Sequence, residues 1–134
     1  MGRKAILEIT CFITFALWLG LNLYGIVFRS FLISTKLIHL LGGFAVAFIL
    51  SRFLKIYLSK RKIKLTLLEE EALIFLVVNT LGVFDELIDL FFEFLTTRPV
   101  LGGRRDTALD LLMNTIGIIL FLFLKRLFEA KDRI

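Results

Sequence analysis

The sequence predicts an all-α protein, a four-helix transmembrane bundle with both termini cytoplasmic. Three observations lead there. Hydrophobic residues make up 58% of the 134-residue chain and the mean hydropathy is +0.88, more apolar than an ordinary soluble domain. Those residues gather into four long runs, with most charges between the runs, as lipid requires. No long linker, repeat or low-complexity segment interrupts them, so residues 1–134 read as one transmembrane domain of a multi-pass protein of the cell membrane.

The first helix is expected over about residues 5–28. At ~1.5 Å per residue it is long enough for a hydrocarbon core of ~30 Å. A basic start, Gly2-Arg3-Lys4, precedes it, but the apolar run is too long for a signal peptide and no small-x-small cleavage site follows. Glu8 stands four residues from Lys4 and can pair with it. Cys11 reads as packing, with no His or second Cys near it in sequence.

The second helix is expected over 31–58. Lys36 and His39 share one face, Gly42 and Gly43 let another backbone approach, and Arg52 and Lys55 reach toward headgroups at the far end. A basic loop, Ser59 to Lys64, then leads to a third helix over 69–97. Glu69, Glu70 and Glu71 open it as solvated acids at the positive end of its dipole. Arg98-Pro99 closes it, and the fourth helix follows Gly102-Gly103 over 106–128.

The ends and the middle connection hold twelve of the 17 Lys and Arg, which places them on the cytoplasmic side. The net charge of +5 then reflects topology and attraction to anionic lipid. No basic stripe with interleaved aromatics lies outside the apolar runs, so nucleic acid is excluded as a partner. A single Cys excludes an intramolecular disulfide.

Function concentrates in ionisable residues within the runs, because a charge in hydrocarbon costs several kcal/mol and needs partners or a wet pocket. On helix three, Glu86, Asp89 and Glu93 form one stripe, with Asp85 about 100° around from it. On helix four, Asp106, Asp110 and Asn114 recur every fourth residue. With Lys36 and His39, three helices thus carry polar faces in the outer half of the membrane. His39, Glu86 and Asp110 together supply imidazole and carboxylates suited to a divalent cation such as Zn, Fe or Mn. Lys36, Arg104 and Arg105 suit an anionic headgroup or phosphate. Asp106 has an equal claim as the N-cap of helix four, and Asn79 reads as an interhelical hydrogen bond.

Lys36-x-x-His39, Gly82-x-x-x-Glu86-x-x-Asp89, and Gly103-Arg104 followed by Asp110-x-x-x-Asn114-x-x-Gly117 resemble the VanZ-like small membrane proteins. Asp106-Thr107-x-x-Asp110 is similar to the related YjdF-type proteins. The likeness covers helices two to four. Family members commonly carry Gln or Glu where Asp89 stands. The resemblance implies a polytopic membrane protein, some of whose relatives are linked to glycopeptide (teicoplanin) resistance, with His39, Glu86, Asp110 and Asn114 as the site.

The leading expectation is an outward-opening pocket that binds a polar or anionic ligand such as a lipid headgroup, with or without a divalent cation. One rival is a membrane-embedded, metal-dependent hydrolase or transferase acting on lipid-linked substrates; another is an ion or proton carrier, or an accessory subunit of a membrane complex. No Ser-His pair or HExxH accompanies the site, which leaves enzyme and binding protein both open. Long apolar helix faces also permit an oligomer.

Overall fold

The computed structural model describes the backbone of residues 3–28, 35–96 and 103–129, and the side chains of 5–21, 23, 36–92, 94–95 and 107–128. These residues form four α-helices and no strand: α1 (Arg3–Phe28), α2 (Thr35–Arg61), α3 (Leu67–Thr96) and α4 (Gly103–Glu129). Two are long and apolar enough to cross a membrane, α2 over Lys36–Arg61 and α4 over Thr107–Phe128. The apolar stretch described in α1, Ala5–Leu21, is shorter, and every 18-residue window of α3 holds more than two acidic residues.

The helix bounds differ from the sequence expectation for local reasons. Residues 31–34 lie outside the described part. At its other end α2 runs three residues past Leu58, because Lys and Arg are good helix formers. It stops at Lys62, whose φ of 56° is left-handed. There the Ile63 N–H donates to the Leu58 carbonyl (3.0 Å) and the Lys62 N–H to the Ser59 carbonyl (3.2 Å), the paired bonds of a Schellman cap. The start of α4 at Gly103 puts Asp106 inside the first turn and overturns its N-cap reading; its side chain, with those of Arg104 and Arg105, lies outside the described residues.

A reciprocal capping box starts α3. The Thr66 N–H and hydroxyl both donate to Glu69 Oε2 (2.7 and 2.8 Å), while the Glu69 N–H donates back to Thr66 Oγ1 (3.3 Å). The backbone bond, then the hydroxyl bond, holds the Glu69 carboxyl below the usual carboxylate range.

Only Glu69 of the acidic triplet behaves as a solvated cap, so that expectation is corrected. Glu70 accepts from Lys125 Nζ (2.6 Å) and from the Ser51 hydroxyl (3.4 Å), and Lys125 is just 1% exposed. Glu71 is buried and takes both its oxygens to the Arg126 Nε–H (2.8 Å each). Glu8 pairs across helices with Arg52; the side chain of Lys4 lies outside the described residues. An ionic layer thereby ties all four helices at one end of the bundle.

Above it lies an apolar core: Ile74 and Val78 of α3, Ile118 and Phe121 of α4, Phe44 and Ala47 of α2, with Leu7 and Cys11 of α1. Phe121 takes Phe44 edge-on at 5.6 Å. The most extensive interface joins α2 to α4, and glycine makes it possible. A Cβ at Gly43 would meet the backbone of Asn114, and one at Gly117 would meet the backbone of Leu40 and Phe44. Among the described residues α1 and α3 do not pack against each other. The outward faces stay greasy: Phe12, Phe53, Phe84, Phe91, Phe94 and Phe123 are all more than half exposed.

Candidate functional site

The glycine contacts also place the site. Gly43 of α2 and Gly82 of α3 each leave room for the Asn114 side chain, so three helices meet around one α4 asparagine. One turn further toward the α4 N-terminus, Asp110 projects from the same face. Its Oδ1 accepts from Lys36 Nζ at 3.0 Å, and its Oδ2 lies 3.7 Å from His39 Nε2. One turn beyond Gly82, Glu86 brings Oε1 to 3.9 Å from the same nitrogen. Thr107 of α4 stands beside Glu86. Glu86 and Asp110 are 8% and 6% exposed, far less than free carboxylates.

His39, Glu86 and Asp110 therefore converge from three helices, each offering one donor atom within 4.8 Å of the others. Both His39 separations are too long for hydrogen bonds, and the imidazole stands in a gap between two carboxylates. Asn114 is buried beneath them, and its Nδ2 is the one buried side-chain polar atom among the described residues that lacks a hydrogen-bond partner.

Beside this group is a cavity of about 470 Å³. Trp18 of α1, His39 and Gly42 of α2, Gly82, Asp85 and Asp89 of α3, and Asn114 of α4 line it, with Val46, Val78 and Leu81 among the apolar walls. It occupies the space between α1 and α3, which α2 floors. A Cβ at Gly42 would stand 2.9 Å from Trp18 Nε1, so this glycine lets the indole lie across the helix.

Comparison with protein-family models, with curated proteins and with solved structures returned no match. The VanZ-like resemblance thus rests on the motif residues themselves.

Of the residues singled out in the sequence, the structure gathers Lys36, His39, Glu86, Asp110 and Asn114 into one cluster, and Asp89 joins it through the cavity wall. Asp85, about 100° around the helix from Glu86, lines the cavity beside Asp89, whereas Glu86 faces His39. Lys36 is engaged with Asp110. The side chains of Glu93, Arg104, Arg105 and Asp106 fall outside the described residues. Asn79 does bond between helices: its Oδ1 accepts from the Thr115 hydroxyl at 2.7 Å while its Nδ2 donates to the Phe75 carbonyl. The sequence reading missed Trp18 and Thr107. Trp18 sits in an apolar run with nothing to mark its face, whereas Thr107 follows Asp106 in the motif and carried a signal.

Proposed function

We propose that this chain is a four-span membrane protein whose pocket, in the outer half of the bilayer, binds the polar headgroup of an amphiphile. The observation that carries the reading is the cavity between α1 and α3, where His39, Asp85 and Asp89 stand among aliphatic walls. Pockets that recognise small molecules are mostly apolar with a few fixed polar groups. A gap between two helices that do not touch also gives a lipid a sideways route from the surrounding leaflet.

Three further features support the membrane assignment. Large apolar side chains stand exposed along all four helices, whereas soluble monomers rarely leave contiguous apolar patches beyond a few hundred Å². The acids that break the apolar pattern of α3 include Glu86, buried against α2 and α4 rather than facing outward. Basic residues concentrate at the ionic-layer end, consistent with a cytoplasmic placement of both termini and the α2–α3 connection.

The pocket is read as one-sided. Ile74, Val78, Ile118 and Phe121 separate it from the ionic layer, which argues against a continuous ion path. The described lining offers carboxylates and no Lys or Arg, so a headgroup with hydrogen-bond donors or positive charge fits it directly.

Trp18 is the sole tryptophan and lines the cavity, which makes it a built-in reporter. Short-chain phosphatidylethanolamine or phosphatidylglycerol titrated into detergent-solubilised protein is expected to change Trp18 emission saturably, at one lipid per chain. Val46→Phe, whose ring projects into the cavity, should weaken that change while far-ultraviolet circular dichroism stays helical. Emission that responds to neither lipid, or equally in Val46→Phe, would refute the pocket.

A further inference from the structure

Three donors of two chemistries, one imidazole nitrogen and two carboxylate oxygens, meet from three separate helices within 4.8 Å. The spacing suits an ion better than a hydrogen-bond network. Nε2 of His39 lies 3.7 Å from Asp110 Oδ2 and 3.9 Å from Glu86 Oε1, too far to bond either. Ligands held at ~2.1 Å around a tetrahedral centre stand about 3.4 Å apart, so each carboxylate oxygen must close on Nε2 by about half an ångström or less, and the two carboxylate oxygens, within 4.8 Å of each other, by up to about 1.4 Å.

The surroundings agree. Metal-bound carboxylates are usually hydrogen-bonded on their outer side, which fixes their direction. Here Lys36 occupies Asp110 Oδ1 and leaves Oδ2 toward His39, while Thr107 stands beside Glu86. Among the described residues, two buried carboxylates face one ammonium, that of Lys36, a net negative setting that attracts a dication.

We infer that His39 Nε2, a Glu86 carboxylate oxygen and Asp110 Oδ2 form a binding site for a divalent transition-metal ion. An imidazole in the donor set favours Zn²⁺, Mn²⁺, Fe²⁺ or Co²⁺ over Mg²⁺ and Ca²⁺, which prefer oxygen alone. Three protein ligands leave a coordination position open for water or a ligand oxygen. His39 also belongs to the cavity wall, so the ion stands at the edge of the pocket. It would admit a phosphate there despite Asp85 and Asp89. Lys36 is the ion's resident competitor for Asp110: it orients the carboxylate and at the same time repels an incoming dication.

The probe is Co²⁺ alone, added as chloride to chelator-treated protein in detergent and read by visible absorption, with Zn²⁺ as competitor. One Co²⁺ per chain should bind, with ligand-field bands that Zn²⁺ removes. His39→Ala, Glu86→Gln and Asp110→Asn should each weaken binding by roughly 100-fold or more, at least the scale on which supporting groups act. His39→Cys should add a thiolate-to-cobalt charge-transfer band in the near ultraviolet, which a merely structural network cannot produce. Lys36→Met should tighten binding roughly tenfold by removing a like charge. Wild-type protein that takes up less than one Co²⁺ per chain overturns the site whatever the variants do. Uptake indifferent to the three ligand changes, or a His39→Cys variant that binds Co²⁺ without the new band, overturns it equally. Unchanged or weaker binding in Lys36→Met removes the competing role of Lys36. Failure of lipid to move Trp18 emission leaves these readouts untouched, so the ion site and the headgroup pocket stand or fall separately.

Discussion

Replacing Gly117 with alanine should split the α2–α4 interface, and its cost can be worked from the contacts. The added Cβ would overlap the Leu40 carbonyl oxygen and would lie 2.9 Å from the Phe44 nitrogen and 3.0 Å from the Leu40 carbonyl carbon, against an ordinary separation of about 3.5 Å. All three obstacles are backbone, so none can rotate away. The Leu40 oxygen sets the displacement: the helices must part by about an ångström, which forfeits about half of each dispersion contact across the interface. Phe44, Ala47, Ile118 and Phe121 lie along it. On the order of 50 atom contacts at ~0.15 kcal/mol each then lose about 4 kcal/mol, at the upper end of what overpacked cores cost. Gly20→Ala on α1 is the matched control, because nothing lies within 4 Å of its Cβ. Both substitutions sit inside helices, so the propensity gain of alanine over glycine cancels in their difference. Trp18 emission during titration with sodium dodecyl sulfate should show Gly117→Ala less stable than Gly20→Ala by roughly a thousandfold in the folded-to-unfolded ratio. Equal midpoints and slopes for the two would refute the close approach of α2 and α4.

The ionic layer makes a second prediction. Glu70→Gln strands the Lys125 ammonium, 1% exposed, and should cost about 3 to 5 kcal/mol, whereas Glu70→Gln with Lys125→Met should recover most of it; a double-mutant cycle in the same titration measures the coupling. The cap of α3 makes a third, with a defined sign. Folding lowers the Glu69 carboxyl, so its contribution is present above the unfolded value near pH ~4.3 and fades as pH falls through the lower folded value. Amide exchange in the first turn of α3, corrected for intrinsic rates, should therefore accelerate as pH drops below ~4, and Glu69→Gln should remove that pH dependence.

Helix periodicity makes the His39–Glu86–Asp110 site readable in the sequence. Once 82–89 and 106–117 are helical, residues three and four apart must share a face, so Glu86 with Asp89 and Asp110 with Asn114 were bound to form stripes. Gly43, too, announced a close approach by having no side chain. Periodicity leaves each helix free to rotate and slide against its neighbours, and the errors gather there. Glu8 had Lys4 in easy reach along its own helix, yet its partner is Arg52 on α2. Glu70 and Glu71 looked like dipole-facing acids because Lys125 and Arg126 are 55 residues away in sequence. Of the basic stretch from Ser59 to Lys64, the first three residues extend α2 and only residues 62–64 belong to the connection.

The aliphatic and aromatic belt of Ile74, Val78, Ile118 and Phe121 has an electrical consequence. In a spanning orientation it is the driest stratum of the bundle, so most of the transmembrane voltage drops across it. A charge arriving in the outer compartment crosses little of that gradient. Occupancy there should stay nearly constant as the membrane is polarised, answering to composition outside the cell and not to its energy state.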